Sequence, residues 1–225
     1  MVLKPTDHSG KTDEHALIAE YRRLRPVYAD LCLAMSNLLY SLLQNGGYKF
    51  HLTHRVKEVE KLRSKIRRRR DRCYRVLGDV EDLAGVRVIF YLESEKECFI
   101  RELHRELSGP IRREDHCKEE GYRATHLTVS FGEKRYRLSE YRKFRGMKCE
   151  IQMTSILYHA WSEIEHDIFY KENRDKPSDR GKKLSELRKR MSVLINDDIT
   201  RANAELEDIA QQVRKIRGEK EENSR

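Results

Sequence analysis

The sequence predicts one α/β domain, an α+β arrangement in which a mixed sheet is flanked by helices and extended by further helices at both ends. Three observations predict it. Apolar runs of strand length at 86–92, 126–131 and 148–152 alternate with stretches of helical periodicity. The segments before the first run and after the last repeat their apolar residues every three or four positions. At 225 residues the chain holds one core plus extensions and is too short for two ordinary domains. The expected division is a helical extension over 1–50, a core over 51–175 and an amphipathic C-terminal helix over 176–225.

From Leu17 the apolar face runs through Tyr21, Leu24, Tyr28, Leu31, Met35, Leu38 and Leu42, until Gly46 and Gly47 stop the helix. Pro26 lies inside this pattern, so either the helix kinks there or one helix ends at Arg25 and a second begins. Another helix, crowded with cations, is expected from His54 to Arg70. A helix near 94–107 separates the first two strands, and a short strand at 135–138 pairs back through the turn Gly132-Glu133-Lys134. After the last strand, Leu157, Trp161, Ile164 and Ile168 recur at helical spacing and place a helix on the sheet, up to a basic connection bearing Pro177. The tail carries Leu184, Leu187, Met191, Leu194, Ala202, Leu206, Ile209, Val213 and Ile216 on one stripe, which needs a partner in its own chain or in another. The closing "GEKEENSR" should fray.

Hydrophobic and charged residues each make up 38% of the chain, so much of it is solvated helix surface rather than thick core. The net charge of +9 points to a polyanionic partner: nucleotide phosphates, RNA or an anionic membrane. No apolar run reaches the roughly 18 residues that a bilayer span takes, and the N-terminus lacks a signal-peptide apolar region, so a cytoplasmic protein without a membrane partner is expected. Cys32, Cys73, Cys98, Cys117 and Cys149 show no CxxC spacing and are odd in number, which fits reduced, structural thiols.

Three clusters at strand edges can carry chemistry: "DLAGVR" at 82–87, "GYRATH" at 121–126 and "EIQ" at 150–152. Neighbouring strands would bring Asp82 and Glu150 to one edge, where two carboxylates can hold Mg²⁺ and leave the rest of its shell to water and phosphate oxygens. Such an ion offsets charge on a transferring phosphoryl group and activates a hydroxyl. The plainer alternative is that Asp82 caps a turn while Glu150 pairs with an arginine. Arg55, Lys57, Lys61 and Lys65 can line a phosphate track at the edge or entry of the basic helix, or form a solvated face. Eight cations between 63 and 75 repel one another unless anions cover them, and RNA backbone would serve as well as a nucleotide. Gly121 allows close approach of a ligand, Tyr122 offers a ring for stacking, and Arg123 and His126 can meet phosphates or hydroxyls, unless the segment is a turn ending in a packed tyrosine. Glu163 and His166 share a helix face as a metal pair does, yet no further His or Asp set accompanies them. His166 is therefore expected to bond helix to sheet, and no hydrolase centre is expected.

Together and in this order the clusters resemble the RelA/SpoT synthetase family, in particular the small single-domain alarmone synthetases, over about Arg55 to Lys171. The basic pattern Arg-x-Lys with a Lys eight residues on is met by Arg55, Lys57 and Lys65. The pattern D-[IL]-x-G-[IV]-R is met by Asp82 to Arg87, K-x-x-G-Y-R-[SA]-x-H by Lys118, Gly121, Tyr122, Arg123, Ala124 and His126, and E-[IV]-Q by Glu150 to Gln152. The resemblance implies a nucleotidyltransferase-like fold and transfer of the β,γ-diphosphate of ATP to a ribose 3′-hydroxyl, releasing AMP. It implies that Arg55 and Arg87 sandwich adenine, that Lys57 and Lys65 hold the ATP phosphates, and that Asp82 and Glu150 bind Mg²⁺ with Glu150 close to the acceptor hydroxyl. Tyr122 would stack on the acceptor base, with Lys118, Gly121, Arg123, His126 and Gln152 completing the acceptor site. GDP or GTP is the implied acceptor and (p)ppGpp the product. One branch of the family instead modifies the 3′-CCA end of tRNA as a toxin, and a non-catalytic RNA- or partner-binding module on the same fold is the reading of another class. The tail stripe suits a homo-oligomer or an inhibitory protein. Two positions depart from the family pattern: Lys61 where a serine is usual, and Thr154 where an arginine is common.

Overall fold

The computed structural model describes residues 13–68, 74–117, 123–169 and 179–218. Lys118, Gly121, Tyr122, the arginines between 69 and 72, Pro177 and the tail beyond Gly218 lie outside the described residues.

Helix α1 (Glu14–Asn45) starts at Asp13, whose carboxylate accepts the Ala16 N–H at 3.0 Å and so satisfies one of the unpaired first-turn donors. The helix runs through Pro26 without a break, so no separate helix begins there. Gly47, at φ +70°, turns the chain into the sheet with a backbone conformation that side chains disfavour. One stretch of α1 is, by length and composition, long and apolar enough to cross a bilayer, against the sequence expectation. Its apolar face has a partner here: Leu31, Cys32, Met35, Leu39 and Leu43 are fully buried in the core that α1 builds with the sheet.

The five strands are β1 (Phe50–Val56), β2 (Ala84–Phe90), β3 (Ile111–Cys117), β4 (Arg123–Val129) and β5 (Cys149–Ser155). They lie in the order β1-β2-β5-β4-β3, with β2 and β5 parallel and every other pair antiparallel. Val86, Val88, Leu127, Ile151 and Met153 point into the core with α1 and with α3 (Glu93–Glu106), while alternate residues face the open side. The edge strands β1 and β3 are additional to the sequence prediction. Strand β3 reads Ile-Arg-Arg-Glu-Asp-His-Cys, and its charges are balanced by neighbours: Arg112 bonds Glu81 and Glu114, and Arg113 bonds Glu97 at 2.7 Å and Asp115 at 2.9 Å.

The basic helix is shorter than expected. Arg55 belongs to β1, Lys57 follows it, and only Lys61 and Lys65 lie on α2 (Val59–Arg68). The strand expected at 135–138 is absent; two single helical turns, α4 (Glu133–Tyr136) and α5 (Ser139–Arg142), stand there instead. The turn at Gly132 is real, at φ +79°, but a Cβ there would come within 2.4 Å of Gly109 N, so the glycine lets two loops touch rather than closing a hairpin.

Helix α6 (Ile156–Phe169) follows β5 directly. It buries Tyr158, Trp161 and Phe169, whereas Ile164 and Ile168, assigned to its packed face from their spacing, are exposed. The tail is two helices, α7 (Asp179–Val193) and α8 (Thr200–Ile216), joined by a π-helical turn at Leu194–Ile199. Ile195 in that turn is buried against Tyr158 and Trp161. Leu206, Ile209, Val213 and Ile216 of the expected stripe remain exposed, while Glu207 ties α8 to the start of α3 by accepting from Ser94 N at 2.8 Å and Ser94 Oγ at 2.6 Å.

Candidate active site

Cross-strand register collects the polar residues on the open face into rows. Arg55, Gly85, Glu150, Thr128 and Arg112 are successive partners across all five strands. Two residues along, Thr53, Arg87, Gln152, His126 and Glu114 form a second row. A one-residue slip in any strand would send its member to the core, so burial of the opposite face is what fixes this surface.

Asp82 lies in the turn before β2, and because β2 and β5 are parallel neighbours their leading ends meet at one edge with Glu150. Lys57 Nζ reaches Asp82 Oδ2 at 2.8 Å and Lys65 Nζ reaches Oδ1 at 2.9 Å. The Lys57 N–H also donates to Leu83 O at 2.9 Å, which anchors the lysine to the turn. Burial pushes the Asp82 carboxyl up, but the charges and bonds of Lys57 and Lys65 outweigh it and hold the group below its usual range. Glu150 follows the same logic: burial raises it, and the contacts of His126 Nδ1 at 3.1 Å and Gln152 Nε2 at 2.7 Å bring it below its usual value, with the Asp82 charge opposing. Both carboxylates are therefore anions at neutral pH.

The donor set fits a hard divalent cation. Asp82 Oδ1 is buried with the Lys65 ammonium 2.9 Å away, so a ligand that draws this lysine off leaves an anionic oxygen open to a cation. No group of three or more His, Cys, Asp or Glu side chains converges among the described residues, so phosphate and water oxygens would have to complete the shell, as they do for Mg²⁺.

Arg87 is not free to lie flat on the sheet. Its Nη1 pairs with Glu163 of α6 at 2.9 Å, and His159 lies 3.8 Å from the same carboxylate. Burial and the Arg87 charge push the His159 imidazole below its usual value. Glu163, which shares a helix face with His166 but was not expected to form a metal centre with it, is the partner of an arginine, and His166 occupies an exposed position on α6. Arg55 is exposed on the edge strand, and Lys61 faces solvent, apart from the grip that Lys57 and Lys65 hold on Asp82. Arg87, Arg123, Gln152 and Thr154 line one crevice with Tyr158 and His159. The basic cluster is partly covered by the chain's own acids: Arg67 pairs with Glu14 at 2.8 Å, and Arg63 with Glu60 at 2.6 Å and Glu14 at 3.6 Å. Of the cysteines, Cys32 Sγ lies 3.2 Å from Arg55 O and 3.3 Å from Gly85 O beneath the site; Cys32, Cys117 and Cys149 are free thiols, and Cys73 lies outside the described residues.

A sequence model of the region found in RelA / SpoT proteins matches residues 54–175, more than half of the chain. The chain belongs to the RelA/SpoT family. A curated relative, the GTP pyrophosphokinase YwaC of Bacillus subtilis (strain 168), is 29% identical over 154 residues, which span 65% of this chain and 70% of the relative. The crystal structure of small alarmone synthetase 1 from Bacillus subtilis superposes with a TM-score of 0.69 at 20% identity, covering 87% of this chain and 98% of the other. A GTP pyrophosphokinase family protein from Streptococcus pneumoniae does so with 0.69 at 21% identity, covering 88% and 96%. The B. subtilis synthetase has also been crystallised bound to its product pppGpp, at 19% identity, 87% and 98% coverage and a TM-score of 0.69. For this RelA/SpoT chain the structural matches establish the mixed five-stranded sheet with its flanking helices. Helices α1, α7 and α8 lie outside the residues that match the family.

Three residues around the RelA/SpoT site carried no sequence signal for their contacts. Tyr158 lies under the Arg123 guanidinium at 5.5 Å, Asn196 accepts from Arg123 Nη2 at 3.1 Å, and Glu81 joins the first row through Arg112 and Lys148. Their partners are 31 residues or more away in sequence, beyond the reach of any local pattern.

Proposed function

We propose that this chain is a pyrophosphokinase of the small alarmone synthetase type, transferring the β,γ-diphosphate of ATP to the ribose 3′-hydroxyl of GDP or GTP to give AMP and (p)ppGpp. The observation that carries the reading is the meeting of Asp82 and Glu150 at the leading edge of the parallel β2–β5 pair, among Arg55, Lys57, Lys65 and Arg87. The name of the YwaC relative and the pppGpp bound to the B. subtilis synthetase support the nucleotide acceptor.

In this reading Lys57 and Lys65, which balance Asp82 without ligand, turn toward the ATP phosphates and hold the diphosphate in line with the acceptor. Arg87, exchanging Glu163 for a base, stacks on adenine opposite Arg55. Magnesium held by Asp82 and Glu150 would supply positive charge against the phosphate oxygens. Glu150, an anion held in place by His126 and Gln152, accepts the proton of the 3′-hydroxyl as that oxygen bonds to the β-phosphorus. The bond between the β-phosphorus and the oxygen bridging to the α-phosphorus breaks, and AMP leaves with that oxygen. Arg123 and His126, with Lys118, Gly121 and Tyr122, hold the acceptor. Catalysis is thus mainly positioning and fixed charge. The reaction belongs in the cytoplasm, where its nucleotides are, and the chain makes the product without breaking it down.

Incubating the purified chain with Mg²⁺ and ATP labelled in the γ-phosphate, plus GDP, GTP or tRNA in separate reactions, tests this reading. Label should move to GDP or GTP with stoichiometric AMP release, and chelation by EDTA should stop it. Label found only in tRNA would replace the acceptor, and no transfer to any of the three would overturn the enzymatic reading.

A further inference from the structure

The C-terminal helices lie outside the residues matched to the family, yet one of their side chains reaches an acceptor-site arginine. Arg123 is held at three points. Thr154 Oγ1 donates to its backbone carbonyl at 2.9 Å, Tyr158 lies beneath its guanidinium at 5.5 Å, and its Nη2 donates to Asn196 Oδ1 at 3.1 Å. Arg123 Nε is buried and has no hydrogen-bond partner within the described residues, so its contacts leave it underused.

Asn196 owes its place to the π-helical turn. Ile195 is fully buried against Tyr158 and Trp161, and Trp161 Nε1 donates to Met191 O at 3.2 Å, which locks the turn against α6. Thr200 Oγ1 donates to Ile195 O at 2.8 Å, so a side chain takes up a carbonyl in the widened turn. The next residue, Asn196, then faces Arg123, and its amide nitrogen donates to Ser192 Oγ at 3.4 Å while its oxygen accepts from the guanidinium. Such a carboxamide orients a guanidinium without cancelling its charge; a carboxylate in the same place would neutralise it.

We propose that Asn196 is a positioning residue for the acceptor: through Arg123, the π-helical turn of the C-terminal helices contributes to acceptor binding. This rests on the acceptor role given to Arg123 above. A neutral hydrogen bond fixes where the guanidinium points, and the positive charge stays available to an acceptor phosphate.

The test varies GDP at fixed ATP, and ATP at fixed GDP, for wild type, Asn196→Ala, Asn196→Asp, Arg123→Ala and the Arg123→Ala/Asn196→Ala double variant. Calorimetric titration of GDP gives a second readout free of turnover. Asn196 is exposed, so its variants should fold as wild type does. Asn196→Ala should raise KM for GDP about fivefold to tenfold, with KM for ATP and kcat within about twofold. Asn196→Asp should raise KM for GDP at least as much, because it cancels the charge on Arg123, and the double variant should be no worse than Arg123→Ala alone. The inference is overturned if Asn196→Ala leaves KM for GDP unchanged, raises both KM values equally, or adds its full effect to that of Arg123→Ala, or if Asn196→Asp behaves as wild type. An inert Asn196→Ala beside a damaged Arg123→Ala sinks this inference alone. An inert Arg123→Ala, or wild type that does not bind GDP, sinks the acceptor assignment with it.

Discussion

Glu150→Gln should lower kcat for diphosphate transfer by about 10³-fold, with ATP binding changed by no more than about threefold and the unfolding midpoint close to wild type. The substitution keeps the shape of the side chain and removes only its charge and basicity. Glu150 is held by His126 and Gln152 on a strand flanked on both sides, so an amide of equal size has room and partners without backbone movement. What it loses is a proton acceptor held below its usual pKa and one of two anions at the sheet edge. A loss of this size in kcat, with ATP binding spared, marks a group needed in the transition state rather than in ground-state binding. If kcat fell less than tenfold, Glu150 would have no such role. Rapid-quench turnover beside calorimetric ATP binding makes the comparison.

Asp82→Asn should be nearly as damaging to turnover and, unlike Glu150→Gln, should also cost stability. The carboxylate is the counter-charge for Lys57 and Lys65, whose side chains are only 14% and 23% exposed. Removing the anion leaves two ammonium groups facing each other in a half-buried site, at a cost of about 3 kcal/mol, the low end for breaking a buried pair. The sign with pH follows from the depressed pKa of Asp82. Its stabilisation is complete above the unfolded-state value of about 3.9 and disappears as pH falls through the lower folded-state value. The stability gap between wild type and Asp82→Asn should therefore be constant from pH 7 down to about pH 5 and close at more acid pH. Urea unfolding across that range measures it, and a gap that widened on acidification would place the favourable contacts of Asp82 elsewhere.

How far the sequence showed all this depends on which residues one asks about. Asp82 and Glu150 were visible because a charge beside or within a buried strand is unusual, and the parallel pairing of β2 with β5 converts two distant motifs into one edge. Strand β1 was hidden for the opposite reason. With His51, Thr53, His54 and Arg55 exposed on an edge strand, it lacks an apolar run, and its cations continue in sequence into those of α2 as if one long helix carried both. Strand β3 is more extreme, a charged edge stabilised by ion pairs that only the folded arrangement brings together. On α6 the spacing of Trp161, Ile164 and Ile168 suggests burial, and Trp161 is buried; Ile164 and Ile168 are not, and Tyr158 joins Trp161 against Ile195, because the helix packs against the C-terminal turn as well as the sheet. The ion pair of Arg87 with Glu163 and the hold of Asn196 on Arg123 span 76 and 73 residues, distances over which no periodicity speaks.

The central claim is that Asp82 and Glu150 share one divalent cation, and counting that ion tests it most directly. Electron paramagnetic resonance titration of Mn²⁺, in place of Mg²⁺, with a non-hydrolysable ATP analogue present should find one ion bound per chain of wild type. In Asp82→Asn and in Glu150→Gln, each taken alone, affinity for that ion should fall at least about tenfold, as expected when one of two carboxylate ligands is lost. An ion held with wild-type affinity by either variant would contradict the account.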